Sequence, residues 1–129
     1  MITVTGGRAK QRQQVYRAAI FAWNYLMPLI RKCDVSIELK RVKMADGYCM
    51  KVDDREWEIE ISKKLKGEDL LTTVFHEMVH VKQGVRREWE FDEVPYKTHE
   101  EYINLPWEVE AYQLQEEILE AWNRRSGSL

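Results

Sequence analysis

The sequence predicts an α+β fold, and three observations predict it. Apolar residues recur at helical spacing near the N-terminus, short segments in the middle alternate apolar and polar residues, and two more stretches with helical spacing follow. Taken in order, Val15, Ala18, Ala19, Ala22, Leu26 and Leu29 mark a first helix from about Arg8 to Arg31. Pro28 bends or ends it, because proline lacks an N–H and clashes with the preceding turn. Val35 to Leu39 and Trp57 to Ile61 alternate strictly, and Tyr48 to Val52 lies between them after the turn signal Asp46-Gly47. These segments predict a small, three-stranded, mostly antiparallel sheet with one polar face and helices on the other. Gly67 precedes the next helix, along which Leu70, Leu71, Val74, Phe75, Met78, Val79 and Val81 fill one broad arc, and Gly84 is placed to stop it. Between Val85 and Leu105 runs a polar connection of about twenty residues, with Pro95 and one helical turn near Thr98 to Tyr102. Its length inside a compact domain favours a functional loop. The final helix opens with Pro106 in its first position and acidic residues in its first turn.

The chain has 129 residues, 44% hydrophobic and 33% charged, with a formal net charge of −2. These values describe one folded domain with its own core, and they exclude a disordered chain. No apolar run reaches the length of a membrane span, and Met1 to Arg8 lacks the apolar centre of a signal peptide. A cytoplasmic location, in a bacterium or a phage-infected host, is the expectation. Cys33 and Cys49 form no disulfide framework, which agrees with a reducing compartment. Arg8, Lys10, Arg12 and Arg17 give the beginning a basic cast, but an acidic remainder balances it and no recognition motif accompanies it. The cluster reads as a solvated helix face and not as a nucleic-acid site. Five tryptophans and six tyrosines supply aromatic surface for a partner without fixing an oligomeric state.

Chemistry enters with His76-Glu77-Met78-Val79-His80. Two histidines four apart on a helix stand one turn above each other, so both imidazoles can reach one ion. Glu77 is turned roughly 100° from His76, close enough to reach a water on that ion without ligating it. Surface histidines would occupy the same stripe, which also carries Thr72, Thr73 and Gln83. A third protein ligand separates the two accounts, because catalytic zinc usually takes three protein ligands and a water.

The last helix offers Glu108 and Glu110. Glu108 lines up with Ala111, Tyr112, Gln115 and Leu119 inside an arc completed by Trp107, Leu114, Ile118 and Trp122, which faces the core. Glu110 lines up with Gln113, Glu117 and Ala121 on the polar side. A buried carboxylate needs a partner, and an ion held by His76 and His80 would be one, so helical phase favours Glu108 over Glu110. His99 is the remaining histidine. The Thr98…Glu101 pattern around it reads as the cap of a short helix with His99 exposed in its first turn. A third histidine six residues after His80 is absent, since that position is Arg86 and the nearby glycine is Gly84. Cys33 and Cys49 are not spaced as a ligand pair and read as buried, small apolar residues.

HEMVH followed by a helix bearing Glu108-Val109-Glu110-Ala111 resembles the gluzincin division of the zincin metallopeptidases, in particular small bacterial and phage peptidases of the ImmA/IrrE-like kind and, more loosely, SprT-like domains. The resemblance covers roughly residues 68–115, and Tyr112 stands where many such families carry Asp or Asn. It implies a minimal zincin fold, a Zn2+ cofactor held by His76, His80 and Glu108, Glu77 as general base, and a protein or peptide substrate. Candidate donors to the developing oxyanion are Tyr96, His99, Tyr102, Arg86, Arg87 and Tyr112. The edge of the sheet near Trp57 to Ile61 would suit an extended peptide, although a core-facing Trp57, Ile59 and Ile61 alternating with solvated glutamates accounts for the same residues. A second class of expectation is a binding or regulatory module that keeps the zinc site without turnover. Glu77 argues against it, since a structural site has no need of a base.

Overall fold

A computed structural model describes residues 1–88 and 98–127, apart from the side chains of 126 and 127. The architecture is α+β. Four strands, β1 (Ile2–Gly6), β2 (Asp34–Lys40), β3 (Gly47–Asp53) and β4 (Glu56–Ser62), combine with four helices, α1 (Ala9–Leu26), α2 (Gly67–Val85), α3 (His99–Ile103) and α4 (Pro106–Gly127).

The sheet differs from the expected three-stranded antiparallel one. Its order is β1-β2-β4-β3; β1 and β4 both lie parallel to β2, and β3 and β4 are antiparallel. β1 escaped notice because Ile2 and Val4 are its whole apolar signal, and its pairing, Ile2 with Val35 and Val4 with Ile37, closes only through the α1 crossover. Alternating segments joined by short connections suggest a meander. Here residues 41–46 instead carry the chain past the place that β4 fills, so β3 becomes the edge and returns through Asp54-Arg55 as a hairpin with β4. Trp57 to Ile61 is therefore interior and not an edge. The core-facing account of it holds: Trp57, Ile59 and Ile61 are buried while Glu56 and Glu58 are exposed.

α1 buries Val15, Ala18, Ala19, Ala22 and Leu26 of the predicted stripe and ends at Leu26, just before Met27 and Pro28, so the expected extension to Arg31 is absent and Leu29 is exposed beyond the helix. It packs on β1 and α2, whereas α2 also reaches β3 and β4. α2 buries the whole predicted arc from Leu70 to Val81. α4 lies against α2 on the side away from the sheet, with lighter contacts to α1 and α3. Phe21, Phe75 and Trp122 join α1, α2 and α4, the Phe21 and Trp122 rings meeting edge-on at 5.3 Å.

Gly84 does not stop α2. The helix continues to Val85 and turns off at Arg86 and Arg87, the latter with φ 57°. The glycine serves packing instead, because a Cβ there would lie 2.0 Å from Cη2 of the fully buried Trp57. Helix α2 is thereby set close to β4, and its opposite stripe is left to face α4.

Candidate metal centre

The centre lies between α2 and α4, beside the edge strand β3. His76 and His80 project from one stripe of α2, their ring centroids 4.8 Å apart. Glu108 comes from the first turn of α4, where Pro106 and the backbone hydrogen bonds from Glu108 and Val109 to the Leu105 carbonyl start the helix. Its Oε2 lies 3.2 Å from His76 Nε2 and its Oε1 lies 2.9 Å from His80 Nε2. His80 and Glu108 are buried and His76 is nearly so.

One ligand atom from each of these three residues falls within 4.8 Å of the others, so the triad could hold a metal ion. Four ligands at about 2.0–2.1 Å in a tetrahedron stand about 3.3–3.4 Å from one another. The 3.2 and 2.9 Å contacts run to different oxygens of the carboxylate, and one ligand atom from each residue lies within 4.8 Å of the others, so the three side chains would shift to bring their atoms to that spacing about an ion. The donor set of two histidines and one carboxylate also suits a catalytic ion that keeps a position for water.

The three groups shift one another's ionisation. Burial works against ionisation of Glu108, but hydrogen bonds from both imidazoles and the positive charge of the histidines overcome it, and its carboxyl is held far below the usual carboxylate range. Burial likewise works against a charged His80. The Glu108 hydrogen bond, the Glu77 and Glu108 charges and the Gln83 hydrogen bond override that, so His80 is raised above its ordinary value.

Glu77 faces the same cleft. It is 6% exposed, and among the described residues no hydrogen-bond donor meets its carboxylate. Burial raises its pKa, with His80 and His76 opposing the shift and Glu108 adding to it. Gly47 of β3 leaves room for this group: a Cβ there would stand 3.2 Å from Glu77 Oε2 and 3.0 Å from the Glu60 carbonyl oxygen. The cleft measures about 780 Å³ and runs from Met44, Gly47 and Tyr48 on one side to Tyr102, Trp107 and Tyr112 on the other, with His76, Glu77 and His80 on its floor. Cys49 also borders it, yet burial, followed by the charge of Glu77, pushes its thiol well above the ordinary range, which leaves it a neutral apolar neighbour. Cys33 is buried as well, and both cysteines are free.

The other expected site residues divide clearly. Glu110 is not in the triad; its Oε1 accepts from Gln83 Nε2 at 2.9 Å and from Lys82 Nζ at 3.3 Å. His99 is exposed at the start of α3, whose Thr98 cap accepts from the Glu101 amide at 3.1 Å, and His99 borders the cleft without joining the triad. Tyr102 donates to Glu108 Oε1 at 2.7 Å. Tyr112 borders the cleft with its ring 4.7 Å from that of His76. Arg86 and Arg87 do not border the cleft, because α2 extends past Gly84 and carries them towards the β3–β4 hairpin. Arg87 there lies 3.8 Å from Asp54. Tyr96 lies outside the described residues.

Sequence reasoning missed the partners of the imidazoles. Gln83 Oε1 lies 2.7 Å from His80 Nδ1, and Gln115 Oε1 lies 2.7 Å from His76 Nδ1. The signal was available: Gln83 shares the stripe of His76 and His80, and Gln115 shares that of Glu108.

No helix among the described residues is long and apolar enough to cross a membrane. Comparison with protein-family models, with curated proteins and with solved structures finds no match for this chain.

Proposed function

We propose that this chain is a zinc-dependent metallopeptidase of zincin type that hydrolyses a peptide bond in a protein or peptide substrate. One observation carries the reading: a buried carboxylate, Glu77, without a hydrogen-bond partner among the described residues, stands beside a triad, His76, His80 and Glu108, suited to an ion with an open position. A purely structural site would close the fourth position with a protein ligand and would place no lone carboxylate next to it.

Held by His76, His80 and Glu108, a zinc ion would supply Lewis acidity, lowering the pKa of a water towards ~7 and polarising a carbonyl. The chain's own residues do the rest. Glu77 would take a proton from the attacking water and pass it to the leaving nitrogen; a carboxyl raised by burial suits both halves of this exchange. Tyr112 and His99 border the cleft and would be candidates to donate to the developing oxyanion. Tyr102, tied to Glu108, steadies the ligand carboxylate.

A peptide substrate is favoured by the edge strand. β3 pairs with β4 on one side, and no other strand among the described residues takes its free edge, while Gly47 and Tyr48 border the cleft. An extended chain laid along that edge would pair with it backbone to backbone and bring one peptide bond over the floor of the cleft.

The test is peptide hydrolysis by zinc-loaded protein and by its Glu77→Gln variant. Zinc near one per chain in both proteins, with turnover lowered by about 10² to 10⁴ in the variant, is expected. Equal turnover, or none in either protein against a broad peptide mixture, would leave a zinc-binding module without the peptidase.

A further inference from the structure

The geometry points to Gln83 as a positioning residue: clamped by Glu110 and by the Trp107 carbonyl, it fixes the proton of His80 on Nδ1 and so turns the Nε2 lone pair towards the ion. The inference rests on the triad as a metal site, and it goes beyond the ligands to what makes one of them a ligand.

Gln83 is 1% exposed, on α2 three residues after His80. Its amide nitrogen donates to the Trp107 carbonyl at 2.8 Å and to Glu110 Oε1 at 2.9 Å. A carbonyl and a carboxylate can only accept, so the end of Gln83 that faces them must be the NH2 group. Flipping the amide would set its oxygen against two acceptors in a buried place, which the surroundings forbid. The partners therefore dictate the amide orientation. Its other end, Oε1, is then an obligate acceptor 2.7 Å from His80 Nδ1, and that nitrogen must carry a proton. Whether His80 is neutral or charged, Nδ1 keeps its hydrogen, and any change of protonation falls on Nε2, the atom aimed at Glu108.

Lys82 completes the clamp. Its ammonium lies 3.3 Å from Glu110 Oε1 and 2.9 Å from Glu88 Oε2, a donor on the far side of the oxygen that Gln83 meets. Glu110, which helical phase separates from the ligand position, thus acts on the ion at two removes.

The other imidazole is held differently. Gln115 Oε1 meets His76 Nδ1 at 2.7 Å, but the amide nitrogen of Gln115 has a single long contact, 3.3 Å to Glu116 Oε1 on the exposed side of α4. Among the described residues, nothing comparable prevents that amide from turning over. The clamp is specific to His80.

Nitrogen-15 NMR of the histidine rings, on the metal-free and the zinc-loaded protein, is paired with zinc affinity measured by chelator competition. In the wild type, His80 should carry its proton on Nδ1 in both forms throughout the folded pH range. Gln83→Leu should raise the zinc dissociation constant by about 10- to 100-fold, and Gln115→Leu by less. In metal-free Gln83→Leu the His80 ring should also lose its fixed proton on Nδ1 in the nitrogen-15 spectrum. A mere packing role for Gln83 would not predict that loss. A wild-type His80 found neutral with its proton on Nε2 and Nδ1 bare, or a folded Gln83→Leu protein with unchanged affinity, overturns the inference. Failure of the wild type to bind zinc would instead sink the metal reading, and the ring NMR of the metal-free protein would still decide the proton's place.

Discussion

Glu108 is the residue at which the account is most exposed. It is 1% exposed to solvent and receives hydrogen bonds from His76, His80 and Tyr102, so its removal leaves three donors, the buried His80 among them, facing a cavity. Glu108→Ala should abolish zinc binding and destabilise the metal-free protein by roughly 3 kcal/mol, as expected for breaking a buried charged pair; denaturant unfolding monitored by tryptophan fluorescence measures it. The same groups set a pH dependence. Glu108 is held below its ordinary value, so its contribution is present above the normal glutamate range and lost as pH falls through its lowered pKa. His80 is raised, so its contribution is full below the ordinary histidine value and lost as pH rises through its raised pKa. The metal-free pair therefore stabilises most between the ordinary glutamate and histidine ranges. An ion needs the proton of His80 Nε2 removed, so the stabilisation due to zinc should grow as pH rises out of that window. Thermal melts across pH, with and without zinc, should show the metal-free curve falling on the alkaline side and the gap between the curves widening there; parallel curves would contradict it. At this scale the sequence was legible where one helix's own periodicity decided the question, as for Glu108 against Glu110. It was silent on Tyr102 and Gln83, whose roles depend on which atoms meet across two helices.

Among the elements, α2 carries the site because it is fixed between the sheet and α4. Its closeness to β4 depends on Gly84, where any side chain would strike the Trp57 ring. Gly84→Ala should cost about 1–3 kcal/mol through overpacking and shift α2 relative to the sheet. A lowered melting temperature and altered near-UV circular dichroism of the buried tryptophan report this, and an unperturbed variant would show that the contact is not tight. A glycine near a helix end reads as a stop because that is its commonest use, and nothing local to 80–86 announces an indole one layer away. The helices were otherwise plain, since α1, α2 and α4 each repeat their apolar positions over several turns. The sheet was less so. Alternation marked β2, β3 and β4 as strands but carries no information on neighbours, so the parallel pairing of β2 with β4 and the addition of β1 could come only from the long-range assembly.

Taken as a whole, the molecule is a sheet, two helices laid on one face of it, and a further helix whose first turn closes over the stripe that the sheet leaves free. This layering brings residues 76, 80 and 108 together from two elements and puts the edge strand along one wall of the same cleft. Fold and site are thus one arrangement: the polar stripe of α2 is tolerable in the interior only because α4 returns a carboxylate to it. The central claim is that this returned carboxylate and the two imidazoles grip a zinc ion. Anomalous diffraction at the zinc edge, from crystals grown with one equivalent of the metal, tests it most directly. The account predicts a single strong peak about 2.0–2.1 Å from His76 Nε2, His80 Nε2 and a Glu108 carboxylate oxygen, with a water in the remaining position facing Glu77; a triad still closed on itself by hydrogen bonds, with zinc bound elsewhere or nowhere, would contradict it.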